Sequence, residues 1–255
     1  MNKGTAQGNV EEIELVKKLN SDKNSNLWKI LGFTDNKLIY AIQCSKQKFS
    51  KVSGSVVLPK TDVFLIKTND TLISNDNFIN EDMIEEQNIS FEYILNSGIS
   101  VKEKNSKSFT YQKMTIETFY KVFGNYELGC AIEYYTSEND RDKNIILEKA
   151  WKTNKDKIIS VMEDLKIKYK FNNSFKTSND KEIKQTAISL TKHIIDNVQS
   201  ISDFIFKGIG AFENPFFANF LYKEGELLKD CFPTKYSITT GSGRSKGDYT
   251  VVIKP

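Results

Sequence analysis

The stretch DVFLIKT, residues 62 to 68, joins a run of apolar residues, β-branched and aromatic, between polar ends. That pattern reads as a buried strand, with Asp62 standing at its entrance. The neighbours of this run decide what the strand can belong to. KLIYAIQ, before it, has the composition of another strand. SFEYIL and ISVKEK follow it, and the turn chemistry of Asn96-Ser97-Gly98 between them predicts a hairpin. The intervening stretch from Asn69 to Asn88 is dominated by Asn, Asp, Glu and Ser, which predicts an exposed excursion.

Helical periods surround these strands. Ile13, Val16 and Leu19 recur at helical spacing while Glu11, Glu12, Glu14, Lys17 and Lys18 fill the other faces, predicting a helix from about residue 9 to 20. LWKILG reads as a short helix. TIETFYKVFG offers Thr115 as a cap, Glu117 in the first turn where the helix dipole favours acid, and Gly124 as a stop. KDKIISVMEDLKIKY and EIKQTAISLTKHIIDNVQSI repeat the three-to-four spacing, and YSITT and DYTVVIK read as strands around GSGRSKG. The order is helix, strands, helices, then a terminal hairpin. It predicts an α/β or α+β fold, a central mixed β-sheet flanked by helices, in one domain spanning 1–255. Within it we expect a core at about 8–125, a helical region at about 140–230 and a C-terminal hairpin at about 234–255.

Composition narrows the function classes. The chain has 255 residues, 39% of them hydrophobic, enough for one sizeable core. Its longest apolar runs, such as Val63 to Ile66 and Phe204 to Phe206, fall far short of the roughly 20 residues of a membrane span. The polar N-terminus, acidic early, lacks the basic-then-apolar order of a secretory signal, so a cytoplasmic protein with no membrane partner is expected. Cys44, Cys130 and Cys231 are far apart, with no CxxC, and His193 is the single histidine, so a zinc cage is not available and reduced, buried thiols are expected. The formal charge of +3 does not argue for nucleic acid by itself. Local balance says more. Residues 101 to 113 hold Lys102, Lys104, Lys107 and Lys113 against Glu103, four minus one, or +3. From 235 to the end Lys235, Arg244, Lys246 and Lys254 face only Asp248, again four minus one, or +3. Two basic, hydroxyl-rich segments suit the walls of a phosphate-lined cleft, or two solvated loops.

Hydrolysing a phosphodiester with a metal requires a carboxylate to hold the ion, a second oxygen ligand, and a cation for the attacking water and the transition-state charge. Asp62 and Lys102 supply the first and third. If 61–67 and 99–104 are neighbouring strands, alternation puts Ser100, Lys102 and Lys104 on one face, with Ser100 where an acid is expected. Glu12, on the first helix, closes the site from a third direction. Taken alone, each piece has a bland alternative: PKTD is a turn before a strand, Lys102 a solvent-facing lysine, Glu12 a solvated helix face, GSGRSKG a mobile hairpin tip. Their order in the chain is what points to a site.

These residues resemble the MspI-like and HinP-like restriction endonucleases of the PD-(D/E)xK class. The likeness runs through Gly8 and Glu12 on the first helix, PKTD at Pro59 to Asp62, and the xxK strand at Ser100 to Lys102. NSKSFTYQK with TIETFYKVF looks like the recognition loop and following helix of those enzymes, and GSGRSKGDYTVVIKP like their terminal turn. The resemblance covers the ends and the early core and leaves 125 to 230 uninformative. It implies a restriction-endonuclease-like core and a type II enzyme, bacterial and cytoplasmic. Such an enzyme uses Mg²⁺ to cut double-stranded DNA at a short palindrome of about four base pairs. A DNA methyltransferase would protect the host, and a palindromic site favours a two-fold homodimer. Asp62 and Ser100 are then the metal ligands, Lys102 positions the nucleophile and Glu12 assists. Two departures stand out. Ser100 replaces the usual acid, and Asp62 lies forty positions before Lys102 (102 minus 62), so the polar excursion becomes an insertion between catalytic strands.

For DNA contact, Lys104, Ser106, Lys107, Ser108 and Gln112 follow the catalytic strand closely, with Gln112 suited to adenine or to wedging into the stack. Arg244 is the candidate for guanine, because its planar fork donates two bonds to O6 and N7. Lys246, Thr239, Thr240 and Ser242 add base or phosphate bonds. A non-cleaving, sequence-selective DNA-binding protein, and a repair or nicking nuclease of the same chemistry, are the alternatives. His193, Trp28 and Trp151 read as core or core-edge residues.

Overall fold

The computed structural model describes residues 3–44, 60–104, 110–136, 145–169, 181–196, 206–207, 216–229, 237–240 and 251–254. In chain order these form α1 (Lys3–Ser21), α2 (Asn26–Leu31), β1 (Ile39–Gln43), β2 (Val63–Lys67), α3 (Glu81–Glu86), β3 (Glu92–Tyr93) and β4 (Ile99–Val101). Then come β5 (Gln112–Met114), α4 (Ile116–Phe123), α5 (Tyr126–Thr136), a π-helical turn (Ile145–Ala150), α6 (Lys155–Asp164) and α7 (Lys181–Ile195). The last elements are β6 (Phe220–Lys223), β7 (Glu226–Lys229), β8 (Ser237–Thr240) and β9 (Val251–Lys254). The fold is α+β with a mixed sheet flanked by helices, as the alternation of periods predicts. Among the described residues, no helix is long and apolar enough to cross a membrane.

The chain divides into two compact units, Met1–Lys107 with Asp203–Phe232, and Ser108–Ser202 with Pro233–Pro255. In the first unit the strands run in the order β1-β2-β4-β6-β7, with β3 also on β2. β1 and β4 pair antiparallel with β2, β4 pairs parallel with β6, and β6 and β7 form an antiparallel hairpin. Its turn places Glu224 (φ 55°) and Gly225 (φ 88°) both at positive φ, the geometry that matches the twist of a two-residue hairpin. Parallel neighbours require a crossover. Here the crossover from β4 to β6 carries the whole second unit except its last two strands.

β2 is buried on both faces, as its unbroken apolar run predicts. Val63 and Leu65 pack with Leu15, Val16 and Leu19 of α1, with Leu27 and Trp28 of α2, and with Phe220, Tyr222 and Leu227. Phe64 and Ile66 pack on the other side with Ile42, Cys44, Ile79, Ile84 and Phe216. The aromatic rings of that second side meet edge-on, Phe64 to Phe216 at 5.5 Å and Phe91 to Tyr93 at 5.0 Å between centroids. On α1 the buried stripe is Leu15, Val16 and Leu19, and Glu12 lies one turn earlier on the same stripe, so the helix period carries it inward. Among the described strands β1 ends the sheet order, and Asn20 bonds its flank in a pair, Ala41 N to Oδ1 at 2.8 Å and Nδ2 to Ala41 O at 2.9 Å.

Four expectations change. The Asn96-Ser97-Gly98 turn does not make a hairpin: β3 and β4 both pair with β2, one after the other along its edge. The Ser97 hydroxyl accepts from Leu65 N at 3.0 Å and donates to Ile94 O at 2.7 Å, replacing ladder bonds where the strand bulges. The polar stretch 69–88 is not simply an exposed excursion. It contains α3, capped by Asn80 on Met83 N at 2.9 Å, and its Ile79 and Ile84 cover one face of the sheet. The helical region expected over 140–230 gives way at its end to the β6–β7 hairpin. The predicted helix at 9–20 extends back to Lys3.

In the second unit β9 lies between β5 and β8, antiparallel to both, so the two C-terminal strands pair as predicted. α4 begins at the Thr115 cap and stops at Gly124, which adopts positive φ (69°). Trp151 lies against Gly129 of α5 and donates from Nε1 to the buried Glu133 carboxylate at 2.6 Å. Cys44 and Cys130 are buried thiols outside any disulfide, and burial pushes the Cys130 thiol upward, the state of an inert thiol. Cys231 lies outside the described residues.

Candidate active site

Pairing between β2 and β4 is confined to Val63 opposite Ile99, and the chain just before Val63 is held by side chains as well as backbone. Thr61 is fully buried. Its hydroxyl donates to Val63 O at 2.8 Å and accepts from Ile99 N at 2.9 Å. Asp62 N donates to Ile99 O at 2.8 Å, and Cys44 N donates to Asp62 O at 2.9 Å. These bonds fix the backbone of Asp62 between two strands, so its carboxylate has little freedom.

That carboxylate reaches across to β4. Asp62 Oδ2 accepts from Val101 N at 2.8 Å and lies 3.4 Å from the Ser100 hydroxyl, itself buried. A backbone amide of β4 that would otherwise bond to a strand partner is thus committed to a carboxylate. Next along β4, Lys102 N donates to Tyr222 O at 2.9 Å, which anchors Lys102 to β6. Asp62, Ser100 and Lys102, remote in sequence, therefore meet at one place in the first unit.

A fourth group, which the motif reading passed over, belongs to the same place. Lys60 lies two residues before Asp62 and is half-buried. Burial, then the positive charge of Lys102, push its ammonium down to about 8, and Asp62 opposes them. The signal was in the phrase PKTD: residues two apart on an extended segment share a side, so Lys60 accompanies Asp62.

Glu12 is buried, 5% exposed, and its Oε2 accepts from Gln43 Nε2 at 2.9 Å. Gln43 lies opposite Val63 in the register, so it shares the face that α1 covers. Asp62 follows Cys44 and Phe64 on the alternation of the other face. Glu12 is therefore brought to the same end of the sheet, but onto the α1 side, where Gln43 orients it. Burial, then the negative charges of Glu11 and Glu14 on α1, raise the Tyr222 phenol above its usual value.

Mg²⁺, which the resemblance implies, takes hard oxygen donors in an octahedral shell, keeps several waters and often completes that shell with substrate phosphate. The Asp62 carboxylate and the Ser100 hydroxyl are donors of that kind. No group of three or more His, Cys, Asp or Glu suited to a metal occurs among the described residues. The donor set therefore fits an ion held by one carboxylate and shared with a phosphate, and does not fit an all-protein cage.

The expected DNA-contacting residues are divided. Lys104 is exposed just past the site in the first unit. Gln112 lies in β5, and Thr239 and Thr240 in β8, all in the second unit. Ser106, Lys107, Ser108, Ser242, Arg244 and Lys246 lie outside the described residues, as does Pro59. Trp28 and Trp151 are core residues, and His193 is half-buried on α7. No protein-family model matches the sequence, and no curated protein matches it.

Proposed function

We propose that the chain is a type II endonuclease of the PD-(D/E)xK class that uses Mg²⁺ to hydrolyse double-stranded DNA at a short palindrome. The observation that carries this reading is the meeting of Asp62, Ser100 and Lys102 where β2 and β4 part. The order of elements supports it: α1, then the sheet neighbours β1, β2 and β4, of which β2 has the acid at its entrance, then a crossover to β6, parallel to β4. In this reading Asp62 and Ser100 hold the ion, which when bound would polarise the phosphate and lower the pKa of a coordinated water. Lys102 places its ammonium beside the attacked phosphate and orients the nucleophilic water. Glu12, aligned by Gln43, assists from the α1 side. Lys104 and the basic segment after it contact the backbone, and Arg244 with its neighbours reads bases. A cognate methyltransferase protects the host, and the two-fold symmetry of the site favours a homodimer.

Unmethylated plasmid incubated with the protein and Mg²⁺ tests this. Discrete fragments are expected, abolished by chelator and by Lys102→Ala. A smear, or plasmid left intact under every divalent metal, rejects it.

A second reading has its own observation. Ser100 stands where a carboxylate is usual, which leaves one acid among the groups converging between β2 and β4. On that ground the chain is a sequence-selective DNA-binding protein with a reduced metal site. It predicts a gel shift with a steep salt dependence and no cleavage.

A further inference from the structure

The polar stretch 69–88, between β2 and β3, is too acidic to lie on DNA. It holds Asp70, Asp76, Glu81, Asp82, Glu85 and Glu86 with no lysine or arginine, so a phosphate backbone is repelled. Its bonds run elsewhere. On one side they reach α1, the helix that carries Glu12. Asp76 Oδ2 pairs with Lys17 Nζ at 2.6 Å, and Asn20 Nδ2 donates to Asn77 O at 3.1 Å. The Asp76 carboxylate also organises its own loop, accepting from Phe78 N at 3.2 Å and from Ser74 Oγ at 3.4 Å. On the other side the stretch joins the end of β1, where Gln43 N donates to Ile79 O at 3.0 Å and Gln43 bridges to Asn80. These ties converge on Gln43. Its Nε2 donates to Glu12 Oε2 at 2.9 Å, and the next residue, Cys44, donates its backbone N–H to Asp62 O at 2.9 Å. One strand end thus holds both acids, the first through a side chain and the second through the backbone. Placement of this kind matters to a reaction, since a shift of about 1 Å costs on the order of a hundredfold in rate.

We propose that Gln43 is a positioning residue for Glu12 and Asp62, and that the stretch 69–88 fixes its place by bracing the end of β1 against α1. The inference rests on the nuclease reading for the task of the two acids, but the brace exists without any reaction. The inserted stretch therefore governs turnover and leaves DNA affinity alone.

Asp76→Ala tests the brace, because it removes the bonds to Lys17, Phe78 and Ser74 together at a surface position. Hydrogen exchange followed by NMR on the full chain is expected to quicken about fivefold at the Gln43 and Cys44 amides. In plasmid cleavage with Mg²⁺, kcat is expected to fall about tenfold with KM within about twofold. A stretch that lay on DNA gives a different result, since removing an acid there lowers KM, and that outcome overturns the proposal. The double variant Glu12→Gln with Gln43→Glu tests the positioning residue. It keeps a carboxylate-to-amide bond with the ends reversed, so its melting temperature is expected to exceed that of Gln43→Met, while kcat stays about tenfold down because the carboxylate has left α1. Full recovery of kcat in the double variant reduces Gln43 to a structural partner and also overturns the proposal. The two readings fail separately. Intact plasmid with faster exchange in Asp76→Ala removes the nuclease and keeps the brace, whereas cut plasmid with unchanged exchange and kcat does the reverse.

Discussion

Val101 donates its backbone amide to the carboxylate of Asp62 across 2.8 Å, so an acid at the start of one strand terminates the ladder of the next. The same bond holds the carboxylate for chemistry and satisfies a β4 donor, and substitutions can separate the two roles. Asp62→Asn retains an oxygen acceptor and is expected to lose cleavage while melting close to the parent. Asp62→Ala leaves the Val101 amide without its acceptor and is expected to cost a further 1–3 kcal/mol or so. Thermal melts run beside plasmid cleavage decide this, and equal stability of the two variants would contradict it.

Thr61 is the clamp behind Asp62. Thr61→Val preserves shape but strands the Ile99 amide that the hydroxyl accepts from at 2.9 Å. We expect a loss of about 1–3 kcal/mol in urea unfolding and a fall in cleavage beyond what the lost stability explains, since the register of Asp62 against Ile99 depends on this residue. A variant that unfolds earlier but cleaves normally at low temperature would separate the clamp from the site.

Gly129 sets the approach of Trp151 to α5. A Cβ added there would lie 2.4 Å from the Trp151 ring and 2.7 Å from that of Phe119. Gly129→Ala is expected to destabilise the second unit by about 1–3 kcal/mol, because two aromatic rings, those of Trp151 and Phe119, must shift, despite the better helix propensity of alanine. Calorimetry on the full chain checks it, with a raised melting temperature as the contrary result.

Lys23 gives a pH dependence. Its ammonium donates to Ile39 O and sits 4.8 Å and 4.7 Å from the ring centres of Trp28 and Tyr40, contacts that favour the charge. Burial nevertheless lowers it to about 8 from 10.5. Between those values the unfolded chain holds a proton that the folded chain has released, so stability gained at this residue rises with pH across that window, and below about 8 the cost of the buried charge is fully present. Relative to Lys23→Met, the unaltered protein should therefore gain stability from pH 8 to 10.5. A flat or falling difference in urea midpoints over that range would show that the rings and the carbonyl outweigh burial.

What could be read from the sequence was what local pattern encodes. The run Val63 to Ile66 announced a covered strand, Thr115 and Gly124 announced the limits of α4, and strand alternation placed Ser100 and Lys102 together. The errors arose where a distant side chain replaced a backbone partner. Ser97 bonds to Leu65, 32 positions away, and nothing around Ser97 distinguishes that from an ordinary hairpin turn. Ile79 and Ile84 are isolated apolar residues in a polar stretch, and only the face of β2 that carries Phe64 and Ile66, which they cover, gives them a role. The β6–β7 turn has glutamate at a positive φ, a residue seldom found there, so its turn signal was weak. Lys60 was passed over because a lysine beside a motif is usually solvated, and its burial depends on strands far along the chain.

The parallel pairing of β4 with β6 joins Ile99 to Phe220, 121 positions apart (220 minus 99). A ribosome must therefore release more than a hundred further residues before β4 meets its second neighbour. Until then the strand carrying Ser100 presents a raw flank to anything able to pair with it. Entropy penalises so long a closure only logarithmically, so the finished sheet tolerates the arrangement, but the nascent chain passes through an interval of vulnerability. During that interval the hydrolytic groups are already synthesised yet unassembled, because Lys102 lacks the Tyr222 carbonyl that anchors it.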